Sequence, residues 1–256
     1  MVTKNYYKYM DLSSIKISLS RIRPIFKREF VSYFNSPIAY IFVAIFLVVT
    51  NWLFFQKFFL AQEVSMRNWF SVLPWVFLLL APALTMRSWA EEKKSGTIEF
   101  LLTLPIRDVE VVLAKFGSSL AFLALSLLLS LSVPITLAFL GDLDGGVILA
   151  GYVGALLLGA MYISIGLFIS SLTSNQIVAF LLSLAALFAL FIIGSNNVLT
   201  FVSGPIASLF RFFSSGAHFD SITKGIFDTR DIVYYLSAIT LFLYLNVQVI
   251  GSRKWK

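Results

Sequence analysis

The sequence predicts an all-α integral membrane protein with six transmembrane helices. Three observations carry this. Hydrophobic residues make up 59% of the 256-residue chain and charged residues only 13%, where a soluble domain carries about 25% charged. The apolar residues fall in long uninterrupted runs, which selects helices over an alternating barrel pattern. Lys and Arg are shared unequally between the connections on the two sides of those runs, as a fixed membrane orientation requires.

The first 20 residues read as a polar tail containing Tyr and Lys, with no function assigned. Over 21–36, Ile22, Ile25, Phe26, Phe30, Tyr33 and Phe34 recur at helical spacing, while Arg21, Lys27, Arg28 and Ser32 fall largely on the other side. Pro24 suits a first helical turn, and Asn35-Ser-Pro37 ends the helix before the membrane. A basic amphipathic helix of this kind lies at the interface with its apolar face in the acyl boundary. Arg21, Arg23, Lys27, Arg28 and Phe30 are its expected interfacial residues.

A helix needs about 20 apolar residues to cross the hydrocarbon. Within a membrane domain over 37–256, six segments qualify: 38–55, 69–86, 116–140, 147–172, 177–199 and 232–250. None contains Asp, Glu, Lys, Arg or His. With the N-terminus in the cytoplasm, fifteen of the 20 Lys and Arg lie on the inner side, so both termini are expected inside. The first long run starts near Ile38, too far along for a cleavable signal peptide. Pro74, Pro82 and Pro134 mark expected kinks. In the fourth span, Ala155/Gly159, Ala160/Ser164 and Gly166/Ser170 are four apart, a spacing that lets helices of one subunit approach closely.

Two connections are long. In the inner one, 87–115, the second span is expected to run on as helix until Gly96 breaks it. Thr97 then caps a short helix bearing Ile98, Leu101 and Leu102 on one side, which Pro105 stops. Those apolar side chains need a groove to receive them. The outer connection, 200–231, mixes Phe with charged residues and predicts short re-entrant-like helices dipping into the outer interface. His218, the sole histidine, reads there as an interfacial polar residue.

Several functions are excluded. The absence of cysteine removes disulfides and thiolate metal sites, and one histidine cannot build a His-rich cluster. No Gly-x-x-x-x-Gly-Lys-Ser/Thr loop is present, so the chain holds no nucleotide in the P-loop manner. No span carries a nucleophile–base pair or paired acids, which argues against an enzyme. The net charge of +7 reflects topology, not nucleic-acid binding. A secondary carrier or channel is the alternative class, disfavoured by spans without ionisable groups.

The stretch Glu91-Glu-Lys-Lys-Ser-Gly-Thr-Ile-Glu-Phe-Leu-Leu-Thr-Leu-Pro105 resembles the acidic–Gly-Thr–Glu–Leu-Leu–Pro pattern of ABC-2 type permeases. Lys27-Arg-Glu-Phe-Val-Ser-Tyr-Phe-Asn-Ser-Pro-Ile-Ala-Tyr40 is similar to the approach to span one in the gliding-motility (GldF-like) permease group. Ser170-Ser-Leu-Thr-Ser-Asn-Gln176 and His218-Phe-Asp-Ser-Ile-Thr-Lys-Gly-Ile-Phe-Asp-Thr-Arg-Asp231 extend the likeness from about residue 20 to the C-terminus. The resemblance implies a permease subunit in a bacterial inner membrane that moves a hydrophobic, lipid or polypeptide cargo. A variant reading is an ATP-driven mechanical or assembly complex. It further implies a coupling helix carrying Glu91, Glu92, Gly96, Thr97, Glu99, Leu101 and Leu102, docked on cytoplasmic ATPase subunits that bind ATP and Mg. The chain itself holds no cofactor. Its other expected partners are membrane lipid and either a second permease copy or a paralogous membrane subunit with an extracytoplasmic domain. Phe210, Phe213, His218, Phe219 and Asp220 are the expected outer gate.

Overall fold

The computed structural model describes residues 19–61, 65–99, 106–141, 143–201, 204–225 and 228–252. All regular structure among them is helical: α1 (Leu19–Phe34), α2 (Pro37–Ala61), α3 (Arg67–Lys94), α4 (Asp108–Leu129), α5 (Ser132–Ala138), α6 (Gly145–Leu172), α7 (Gln176–Ile192), α8 (Asn196–Leu199), α9 (Pro205–Phe213), α10 (Ser215–Thr223) and α11 (Thr229–Gly251). Side-chain oxygens cap several starts. Asp144 accepts from Gly146 N at 2.9 Å, Asn175 from Ile177 N at 2.9 Å and Asp228 from Arg230 N at 2.9 Å. Each satisfies an amide that the first turn leaves unbonded.

Five helices are long and apolar enough to cross a membrane: Ala39–Gln56 within α2, α3, the α4–α5 pair, α6 and α11. The chain is therefore a multi-pass membrane protein. The predicted run 177–199 is divided. Its apolar helix α7 stops at Ile192 after 17 residues, about 26 Å at 1.5 Å per residue. Gly194 and Ser195 follow, and a methyl on Gly194 would overlap the Ser214 side chain, so the turn is fitted to α10. The predicted run 116–140 is also divided, between Leu129 and Ser132. Pro134 has no amide hydrogen to give to the Ser130 carbonyl, which accepts from Val133 N at 3.0 Å instead, while Ser130 Oγ donates to Leu127 O at 2.7 Å. Pro74 and Pro82, by contrast, lie within α3 without ending it.

Helices α3 and α6 form the centre of the bundle: 72% and 78% of their apolar windows are buried, against 22% for α2 and 17% for α11 on its periphery. The small residues of α6 make that centre possible. A methyl added at Gly151 would overlap the Phe70 ring, at Gly159 Leu123, and at Gly166 Thr85 Oγ1. The predicted close approach within the chain is thus realised, with α3 and α4 as the neighbours. Large apolar side chains face outward on α2 (Ile41, Ile45, Val48), α7 (Ile177, Leu181) and α11 (Val233, Leu236, Leu241). Such a surface requires lipid rather than water around it.

Candidate functional site

The end of α3 holds the most densely connected polar group. Its helix runs on through Glu91, Glu92 and Lys94, as the sequence predicts, and breaks where Gly96 adopts φ 71°. Only a residue without Cβ takes that left-handed conformation freely. Ser95 Oγ donates to Glu91 O at 2.9 Å and Thr97 Oγ1 to Glu92 O at 3.3 Å, closing the last turn. Thr97 thus serves the helix behind it. The chain is helical again over 97–99, with Ile98 buried at 5% exposure and Glu99 exposed. Leu101 and Leu102 lie outside the described residues, as does most of the predicted short helix.

This break is tied to the rest of the bundle from three sides. Gln176 Nε2 donates to Glu91 Oε2 at 2.9 Å, joining the start of α7 to α3. Ser170 Oγ on α6 donates to Met86 O at 3.1 Å and accepts from the amides of Trp89 and Ala90 at 3.3 Å each. Lys93 Nζ donates to Ser171 O.

The third tie is ionic. Lys115, in the second turn of α4, has a side chain 1% exposed. Its Nζ lies 3.1 Å from Glu29 Oε1 on α1, 2.8 Å from Glu92 Oε1 on α3 and 3.0 Å from Ser88 O. It also sits 4.9 Å over the Trp89 ring. Three hydrogen bonds to a cation on its three donors satisfy it completely. Arg28 flanks both carboxylates at 3.5 and 3.7 Å from a 67% exposed position. Sequence reading placed Lys115 at the edge of a loop. It could not pair Lys115 with Glu29, 86 positions away, because no periodicity links them.

The α1 helix forms as predicted, with Arg21, Arg23, Lys27 and Arg28 exposed and Phe30 half-buried. Its inner face packs on α4: Tyr33 OH is 2.9 Å from Ser119 Oγ, and the Tyr33 and Phe34 rings meet Phe122. Burial beside these neighbours pushes the Tyr33 phenol up to about 12, with Glu29 adding to the rise and the Ser119 hydrogen bond opposing it.

The predicted outer-gate residues separate into two groups at the far end. His218 and Phe219 are buried at 5% and 2% exposure, while Phe213 is exposed at 49%, Phe210 is half-buried and Asp220 is exposed. His218 is no interfacial side chain. Its Nδ1 lies 2.6 Å from Asp231 Oδ1, its Nε2 2.9 Å from Phe212 O, and its ring stacks on Tyr234 at 4.1 Å. A carbonyl only accepts, so Nε2 carries a proton and the imidazole bridges α9 to α11. Tyr235 and Tyr162 complete the anchorage by reaching Ser215 O at 2.8 Å and Ser215 Oγ at 3.0 Å. Asp231 and the tyrosines were read in the sequence only as parts of a loop and a span. Asp220 instead pairs at the surface with Lys224, at 2.7 Å. Beside it, Trp75, Phe191, Gly194, Arg211 and Lys224 line an open cavity of about 670 Å³.

Among the described residues, no cluster of three or more His, Asp or Glu side chains is placed to hold a metal ion. A family model described as "ABC-2 family transporter protein" matches residues 23–251. No curated protein matches the chain significantly.

Proposed function

The chain belongs to the ABC-2 family of transporter proteins, and from that premise we propose that it is the permease subunit of an ATP-driven exporter. Membrane chains of this family are non-catalytic. A separate cytoplasmic ATPase, holding ATP and Mg²⁺, docks on the α3–α4 connection and supplies the energy. The observation that carries this reading is the Lys115 clamp. Three helices that meet beside the break at Gly96 are locked by one buried cation, so a displacement of the 95–105 segment moves α1, α3 and α4 together. Coupling through packed elements of this kind is how a remote site reaches a membrane pathway.

In this reading Glu91 and Glu92 anchor the connection from inside, while Glu99, Leu101 and Leu102 meet the ATPase groove. The protein lies in a bacterial inner membrane with both termini in the cytoplasm. Here α7 is the fifth of six spans, completed by the 194–199 turn, and α9 and α10 close the outer end as re-entrant helices. A second copy or a related membrane subunit completes the pathway. A hydrophobic, lipid or polypeptide cargo suits helices whose outward faces are apolar. The gliding-type resemblance of residues 27–40 favours, as a second reading, ATP turnover that performs mechanical or assembly work.

Because the chain has no cysteine, Glu99→Cys creates a unique attachment point. It is expected to crosslink to the cognate ATPase in the purified complex; absence of the crosslink in an intact complex overturns the docking assignment. ATP-dependent movement of labelled lipid or peptide in reconstituted vesicles supports export. Turnover without flux supports the mechanical reading.

A further inference from the structure

The nine-residue helix α9 has no buried residue. Among the described residues, its hydrogen bonds to other helices come from its last turn. Phe212 O accepts from His218 Nε2 at 2.9 Å and Phe213 O from Tyr234 OH at 2.7 Å. A helix of that length is marginal by itself, so these anchors decide whether it stays formed. Through Ala207, Ser208 and Arg211 it walls a cavity of about 410 Å³, and Arg211 also lines the one of about 670 Å³. What holds α9 therefore controls the far end of the bundle.

The His218 anchor requires a fixed number of protons. Nε2 must carry hydrogen to meet Phe212 O. Nδ1 lies 2.6 Å from Asp231 Oδ1, and both side chains are 6% exposed. A nitrogen and an oxygen hold that distance with a hydrogen between them. The pair thus keeps one shared proton besides Nε2–H, whichever of the two atoms carries it. Without that proton, either a bare Nδ1 faces the carboxylate or the other tautomer turns a bare Nε2 toward the carbonyl. No deprotonated form makes both bonds.

The surroundings do not replace the proton. Tyr234 stacks on the ring at 4.1 Å, Tyr235 stands 6.4 Å away, and Tyr162 of α6 reaches the neighbouring Ser215. Arg230 lies over the Phe212 ring at 5.6 Å, and Asp220 and Lys224 of α10 pair with each other at the surface. Arg211 is exposed on α9, α7 has no titratable side chain, and the near half of α3 has only Arg67. None of these donates to Asp231 Oδ2, which is buried without a partner.

We propose that the His218–Asp231 pair is a proton-held latch on α9, closed while the shared proton is present and released as pH rises. Once released, the imidazole gives up its proton near the ordinary value of about 6.5. The closed form cannot lose it and keep both bonds. Opening is then favoured about tenfold for each pH unit above that value. The latch rests on the geometry of α9, α10 and α11 and not on the ATPase reading, so either can fail alone.

The test is hydrogen exchange across 205–213 in the full-length protein in detergent, from about pH 6 to about pH 9, below the ordinary phenol value near 10. Each rate is divided by the intrinsic rate at that pH, with α6 as internal reference. Opening of α9 is expected to rise about tenfold per pH unit above about pH 7, with α6 unchanged. In Asp231→Asn the amide N–H donates to Nδ1 and keeps the bridge without a titrating proton, so α9 stays protected throughout. Tyr234→Phe removes the second anchor, which lowers protection at every pH and leaves the slope intact. A flat wild-type profile overturns the proposal without any variant, should Asp231→Asn fail to fold. The same slope in Asp231→Asn, or a rise shared by α6, overturns it too.

Discussion

Lys115 Nζ lies 2.8 Å from Glu92 Oε1, a buried ion pair joining the first turns of α4 to the last turns of α3. Removing the cation leaves two carboxylates, 16% and 15% exposed, facing each other with the exposed Arg28 beside them. Lys115→Met is expected to cost about 3 kcal/mol or more, read as a lowered melting temperature in detergent. It should also uncouple ATP hydrolysis from transport in a reconstituted complex. A variant that melts like the wild type would show that the cluster contributes no stability.

Among the described residues, His218→Ala removes the only side chain bonded to Asp231 Oδ1, while Asp231 Oδ2 is already buried without a partner. Stranding a buried acid costs about 3–5 kcal/mol. The change should loosen the α9–α10 region first, because His218 also holds Phe212 O. Hydrogen exchange across 205–223 measures this; protection equal to the wild type would count against the bridge.

The Gly166–Thr85 contact gives a third expectation. Gly166→Val places branched carbons where Thr85 Oγ1 sits, at a cost of about 1–3 kcal/mol for overpacking. Thr85→Ala should recover part of the loss in the double variant, since contacting residues do not act additively. Strict additivity of the two melting shifts would reject the contact.

Tyr33 provides a pH dependence. Its folded value, near 12, lies above the model-compound value of about 10. The neutral phenol therefore contributes fully below pH 10, and that contribution is lost as pH rises toward 12. Wild-type protein should lose more stability than Tyr33→Phe between pH 10 and 12. Parallel loss in both would place Tyr33 in water.

The long apolar runs made the bundle legible because each run states its own solvent. The breaks were less legible: Ser130 and Gly194 interrupt runs of high hydropathy for reasons that lie in a missing proline donor and in the approach of Ser214. The break at Gly96 was readable from glycine alone. Lys115, Glu29 and Asp231 were not, since each gains its role from a partner on another helix. His218, read in isolation, looked interfacial; its burial depends on Tyr234 and Asp231, which follow 16 and 13 positions later.

Between α3 and α6 the pairs Phe70–Gly151, Phe77–Gly159 and Thr85–Gly166 recur at matching intervals along both helices, and Ser170 pins their ends. Two rods keyed at regular teeth do not slide past one another. From Phe70 to Ser170 the pair is therefore keyed as a single strut. With α2 and α11 far less buried, the stiffness of the bundle is concentrated along its axis and not at its perimeter.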